Sequence, residues 1–205
     1  HYHPDKLIIN NLEFDHADIF KDLDAIKTQF HHLIRTMPSS ASIITNAAEP
    51  NIDAVLAQGC WTPVTSFNTP EGYHVSAHNA DWSAFSVKQG DVVLAEIHSN
   101  TLGLHNALNT LAAMITANLA GVSFELAANA MAEFKNVKRR LELKGDYHGI
   151  KVYDDFAHHP TAIAKTLKAL HEHINGARLI VVLELGSYTM RTGVHDPARF
   201  DEALS

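Results

Sequence analysis

Two short apolar runs bracket a helix-period stretch near the start of the chain, and that arrangement restricts the fold more than any other feature. Leu7-Ile8-Ile9 has the character of a buried strand, and Ser42–Thr45 reads as another. Between them Ile19, Leu23, Ile26, Phe30 and Leu33 step by four, three, four and three, the spacing of one helix face. Asp15 stands where it can cap that helix, and Met37-Pro38 suits its end. Strand, helix, strand in this order predicts a parallel βαβ unit, because parallel neighbours need a crossover between them.

The pattern then changes. Val64–Phe67, Tyr73–His78, Trp82–Val87 and Val92–Ile97 are short runs punctuated by Thr69-Pro70, Asn79 and Gln89-Gly90-Asp91, and they predict antiparallel strands on tight turns. Helical spacing returns over Leu104–Ala120, with Gly121 placed to follow the helix end, and a second helix is expected at about Ser123–Phe134. A junction is expected at Val137–Arg140. Beyond it, Leu141–Lys144 and Ile150–Asp154 predict a hairpin across Gly145–Gly149. Pro160 opens a helix whose apolar face is Ile163, Leu167, Leu170 and Ile174, and Leu179–Leu183 reads as a buried strand that completes a second βαβ unit. The expected class is α/β, with one module over residues 1–137 and a second over 138–205. The second is short for an independent parallel unit, so the expectation is the opening part of a larger one.

Composition excludes several classes. The 205 residues carry a formal net charge of −7 and no dense Lys/Arg stripe, which argues against nucleic-acid binding. A single cysteine, Cys60, excludes an internal disulfide framework and fits a reducing compartment. No apolar run approaches the length of a membrane span. The expectation is a cytoplasmic protein. Histidine is abundant, at 15 residues, but His31, His32, His171 and His173 fall in helix-like stretches without ligand spacing and read as solvated helix surface.

Four islands carry candidate chemistry. Asn11 to Asp18 follows a strand, where open α/β sheets gather ligands; His16 there can bind a cation, or Asp15 can simply cap a helix. Gly103 to Ala113 places Asn106 and Asn109 three apart at a helix start, where two amides can read a purine edge or serve as cap and surface. Arg139-Arg140 at the junction suits phosphate oxygens, and equally a solvated surface pair. Tyr153 to Thr161 crosses from strand to helix with Asp154-Asp155 and His158-His159, a carboxylate able to accept from ribose and imidazoles able to donate to phosphate.

Taken in order, these islands resemble the Mur ligase family. The resemblance rests on Asp15-His16-Ala17-Asp18, on the segment from Gly103 through His105, Asn106 and Asn109 to Ala113, on Arg139-Arg140, and on Asp154-Asp155-Phe156-Ala157-His158-His159-Pro160-Thr161. It implies the later part of a nucleotide-binding central domain followed by a truncated Rossmann-like C-terminal domain. It also implies ATP and Mg2+ as cofactors. His16 would help hold the metal, and His105, Asn106 and Asn109 would surround adenine. Arg140 would contact the ATP phosphates as a catalytic residue, Asp155 the ribose, and His158 would steady phosphate. The implied acceptor is UDP-N-acetylmuramate, whose carboxylate is activated by ATP as an acyl-phosphate and then taken by an amine. The form of the last segment resembles the branch that adds L-alanyl-γ-D-glutamyl-meso-diaminopimelate, with addition of L-alanine alone as the alternative.

Two departures accompany the resemblance. No Gly-x-x-x-x-Gly-Lys-Ser/Thr loop occurs in these residues, which leaves a non-catalytic binding module as a further alternative. Leu185 and Gly186 stand where the family has Pro and Arg, and Arg191 follows.

Overall fold

The computed structural model describes residues 3–184 and 197–204; Leu185, Gly186 and Arg191 lie outside the described residues. Six strands form one sheet in the order of the chain: β1 (Lys6–Ile9), β2 (Ser42–Asn46), β3 (Val64–Phe67), β4 (Tyr73–Ala77), β5 (Ala84–Gln89) and β6 (Val92–His98). β1, β2 and β3 run parallel, with helix α1 (Leu23–Arg35) crossing from the first to the second and α2 (Pro50–Leu56) from the second to the third. The expected βαβ unit is present.

Two details differ from the sequence expectation. The cap of α1 is Asp22, whose carboxylate accepts from the Ala25 N–H at 2.8 Å, so the helix starts later and Ile19 stays outside it, exposed. Asp15 instead accepts from the N–H of His16 at 2.7 Å, because His16 has φ of 55° and turns the chain before a helix can begin. Second, β3 belongs to the parallel part. It pairs with β2 over four residues and meets β4 in parallel only at Phe67–Tyr73, so antiparallel pairing starts with β4. The short run 64–67 carried no periodicity that could separate the two arrangements.

The sheet is covered on both faces. In β2, Ile43 points into a cluster with Ile9, Leu12, Ile26, Ile34, Met37, Ile52 and Val55 beneath α1 and α2. Its neighbour Ile44 points the opposite way, as strand alternation requires, into a cluster with Phe67, Phe85, Val87, Ile97, Leu111 and Met114. The second cluster lies under α3 (Leu104–Leu119), which packs on β1, β2 and β4, and α4 (Phe124–Ala132), which packs on β6. Gly121, with φ of 94°, follows the end of α3 as expected, and Ser123 caps α4 through the Leu126 N–H at 3.2 Å.

After α4 the chain builds a separate two-stranded antiparallel sheet from β7 (Glu142–Tyr147) and β8 (Ile150–Asp154), then α5 (Pro160–His173) and α6 (Pro197–Leu204). The hairpin turns at His148-Gly149, both with positive φ, which continues β7 further than the sequence reading had it. The expected strand at 179–183 is not formed. These residues pair with no described strand, and Val182 is 94% exposed. An apolar run becomes a parallel strand only beside another strand edge, and β7 and β8 are paired only with each other among the described residues. No helix of the described residues is long and apolar enough to cross a membrane.

Candidate functional site

A cavity of about 490 Å³ opens where the six-stranded sheet module meets the segment leading into β7. Leu102 and Asn106 line it from the start of α3, Lys138 and Arg140 from the connecting segment, and Tyr153 and His173 from β8 and α5. The close approach of α3 to α5 depends on Gly103. Its φ is 87°, and a Cβ there would lie 2.7 Å from Ala169 Cβ and 2.9 Å from the His105 ring. Any side chain would push the two helices apart. Asn106, which lines the cavity, donates through Nδ2 to the Leu102 carbonyl at 2.8 Å, which fixes its amide and leaves Oδ1 as an acceptor.

The arginine segment is held by an unusual number of backbone bonds. Arg139 and Leu141 both have positive φ, a region costly for residues with a Cβ. Asp155 offsets that cost: its Oδ2 accepts from the Leu141 N–H at 2.6 Å and its Oδ1 from the Ala157 N–H at 2.7 Å. The Asn136 amide donates to the Arg140 carbonyl at 2.9 Å, and Phe156 N–H to the Arg139 carbonyl at 2.8 Å. The two arginines then separate in role. Arg139 lies over the Phe156 ring at 5.0 Å and 3.5 Å from Asp154, whereas Arg140 lines the cavity.

A second polar group forms where the end of β1 meets the start of α5. Glu13 Oε2 accepts from Thr161 Oγ1 at 2.7 Å, with His159 Nδ1 and an Arg199 nitrogen each 3.9 Å away. Asp15 Oδ2 lies 3.8 Å from His158 Nε2, whose other ring nitrogen is 3.1 Å from the Phe156 carbonyl oxygen. His16 is exposed beside them. Asn10 donates to Asn109 Oδ1 at 2.8 Å, and its own Oδ1 is buried without a hydrogen-bond partner. Among the described residues no three His, Cys, Asp or Glu side chains converge as a metal site.

Charges at the meeting of the modules are coupled. Burial holds the His105 imidazole below its ordinary pKa; Lys165 and Arg140 add to that, while Asp155 opposes it. Burial and the two cations thus favour the neutral form of His105. Burial raises the Glu49 carboxyl at the start of α2, with Lys165 opposing and Glu13 reinforcing.

Of the residues singled out in the sequence, Asn106 and Arg140 line the same cavity, and Asp155 and Arg140 act electrostatically on His105. Asn109 is engaged elsewhere, by Asn10. His16 and His158 stand on either side of Asp15, in the second polar group. Sequence reasoning gave no role to Glu13 and Thr161 within their islands and missed the pair Asp81–His173; His173 is exposed on its helix, as expected, and also lies 2.7 Å from Asp81. A contact across 92 residues leaves no local signal.

Comparison with known proteins follows the same division. Residues 1–117 match the Mur ligase middle domain, and residues 139–198 match the Mur ligase glutamate ligase domain. The chain is 45% identical over 196 residues to the UDP-N-acetylmuramate–L-alanyl-γ-D-glutamyl-meso-2,6-diaminoheptandioate ligase of Haemophilus influenzae, covering 95% of this chain and 43% of that protein. It is 36% identical over 185 residues to the UDP-N-acetylmuramate–L-alanine ligase of Caldicellulosiruptor bescii, covering 88% of this chain and 40% of that one. Among solved structures, the UDP-N-acetylmuramate:L-alanyl-γ-D-glutamyl-meso-diaminopimelate ligase of Neisseria meningitides superposes with a TM-score of 0.63 at 44% identity, over 68% of this chain and 43% of that one. The chain thus spans less than half the length of these relatives.

Proposed function

Because this chain belongs to the Mur ligase family, we propose that it acts, within the full-length protein, as the nucleotide-closing part of an ATP-dependent ligase. The ligase joins L-alanyl-γ-D-glutamyl-meso-diaminopimelate to UDP-N-acetylmuramate in the cytoplasm. The observation that carries this reading is the cavity that Asn106 of α3 and Arg140 of the junction both line. Its volume falls within the range of small-molecule sites. We place the junction between the modules at residues 137 and 138.

ATP supplies the phosphoryl group that activates the muramyl carboxylate; the chain's own residues bind and orient. Asn106 Oδ1 accepts from the exocyclic amine of adenine, and His105 packs alongside. Arg140 donates to phosphate oxygens through its planar fork. Asp155 holds the turn that presents Arg140 and keeps lone pairs for a ribose hydroxyl. His158, poised over Asp15, donates to phosphate oxygen as charge develops. His16 follows Asp15 in the chain; no step is routed through a metal.

The test uses full-length protein with ATP, UDP-N-acetylmuramate and one amine at a time, and mass spectrometry reads the product. The tripeptide is expected to be joined with release of ADP and phosphate in equal amounts. Preference for L-alanine would replace this reading with the single-amino-acid ligase. No ATP turnover with either amine would leave a binding module.

A further inference from the structure

The junction of the two modules is fastened at a point remote from Glu13 and Thr161. Asp81 lies in the turn between β4 and β5, and His173 in the last turn of α5. His173 Nδ1 is 2.7 Å from Asp81 Oδ2, and the Asp81 side chain is only 15% exposed. The acceptor is held in place by its own neighbourhood. Asp81 Oδ1 accepts from the Ser83 N–H at 3.0 Å and the Ser83 hydroxyl at 2.8 Å, and the Asp81 carbonyl accepts from Gly103 N–H at 2.8 Å. The turn is thereby tied to the start of α3, the helix that carries Asn106. Burial alone would raise the Asp81 carboxyl, but the bonds from His173 and Ser83 outweigh it and hold the group below its ordinary pKa.

His173 and Ser83 also line the cavity shared by Asn106 and Arg140. We infer that Asp81 and His173 form a latch that fastens α5 to the sheet module and closes one wall of that cavity, making them positioning residues for its ligand. The latch itself stands on geometry; its effect on ATP rests on the function proposed above. If the closed arrangement binds nucleotide, apparent affinity scales with the fraction of molecules that are closed, so loss of the latch raises KM for ATP with little change in turnover at saturation.

The test places a fluorescence donor and acceptor at exposed Glu71 and Lys151, each changed to Cys in a full-length protein whose Cys60 and any other cysteines are changed to Ser, and compares His173→Ala with His173→Lys. His173→Ala is expected to lower energy transfer without nucleotide and to raise KM for ATP by about tenfold, with kcat within about twofold. Lysine supplies a nitrogen donor to Asp81 and is expected to restore both. Unchanged transfer in folded His173→Ala overturns the latch. Lowered transfer with unchanged KM keeps the fastening but overturns its role at the cavity. Absence of ATP turnover in the unmodified protein defeats the functional proposal, and the transfer measurement then still decides the latch.

Discussion

The sheet module and the module that follows it differ in how they bury their apolar residues. In the first, Ile43 and Ile44 look in opposite directions into two packed clusters, and each cluster is closed by helices of the same module. In the second, Leu143, Tyr147, Ile150 and Val152 of the hairpin remain exposed, and so do Ile180 and Val182. Its buried residues lie instead on α5, where Ala169 meets Gly103 of the first module, and on α6 through Phe200. The first module thus owes its order to its own core. The second is held by backbone bonds around Asp155 and by the packing of α5 on α6.

That contrast is open to direct attack. Phe85→Ala removes a fully buried ring from the first module, and it should cost about 3–5 kcal/mol of stability in urea unfolding. Leu143→Ala, on the exposed face of β7, should cost less than about 0.5 kcal/mol. Comparable losses at the two positions would remove the distinction between the modules.

A smaller effect sharpens the second half of the comparison. Asp155→Ala leaves the Leu141 and Ala157 amides without their acceptor, a loss of about 1–3 kcal/mol for such bonds. Amide exchange should accelerate around Arg139–Ala157 while the strands of the first sheet keep their protection. Uniform acceleration across both modules would show that they open as one unit.

The smallest effect concerns the helix start that the sequence misplaced. Asp22→Ala should destabilise by about 1 kcal/mol, since it removes the cap of α1. Asp15→Ala should stay within about 0.5 kcal/mol. The reverse order would restore Asp15 as the cap.

How much was legible follows the same line. The βαβ start, the meander from β4 to β6 and the pair α3–α4 were readable because each is fixed by local periodicity, a turn or a cap, as Gly121 and Pro160 illustrate. The strand expected at 179–183 failed because its apolar run specifies burial but not the partner that would supply it. α2 went unread because seven residues give too few turns for a period to show. At the site, residue types and order pointed to Asn106, Arg140, His105 and Asp155, which the fold brings near one cavity. The sequence placed Asn109 beside Asn106, but only the fold reveals Asn10 as its partner. Glu13–Thr161 and Asp81–His173 join residues far apart in the chain, and no local pattern encodes such pairs.

The central claim is that the cavity between the modules receives the adenine nucleotide. The measurement that tests it most directly is steady-state kinetics of full-length Asn106→Ala against ATP and GTP. Removing an amide whose Oδ1 faces the base should raise KM for ATP by roughly tenfold to a hundredfold and narrow the preference over GTP. Unchanged KM for both nucleotides would contradict the account and leave Asn106 as a residue that only closes the first turn of α3 through Leu102.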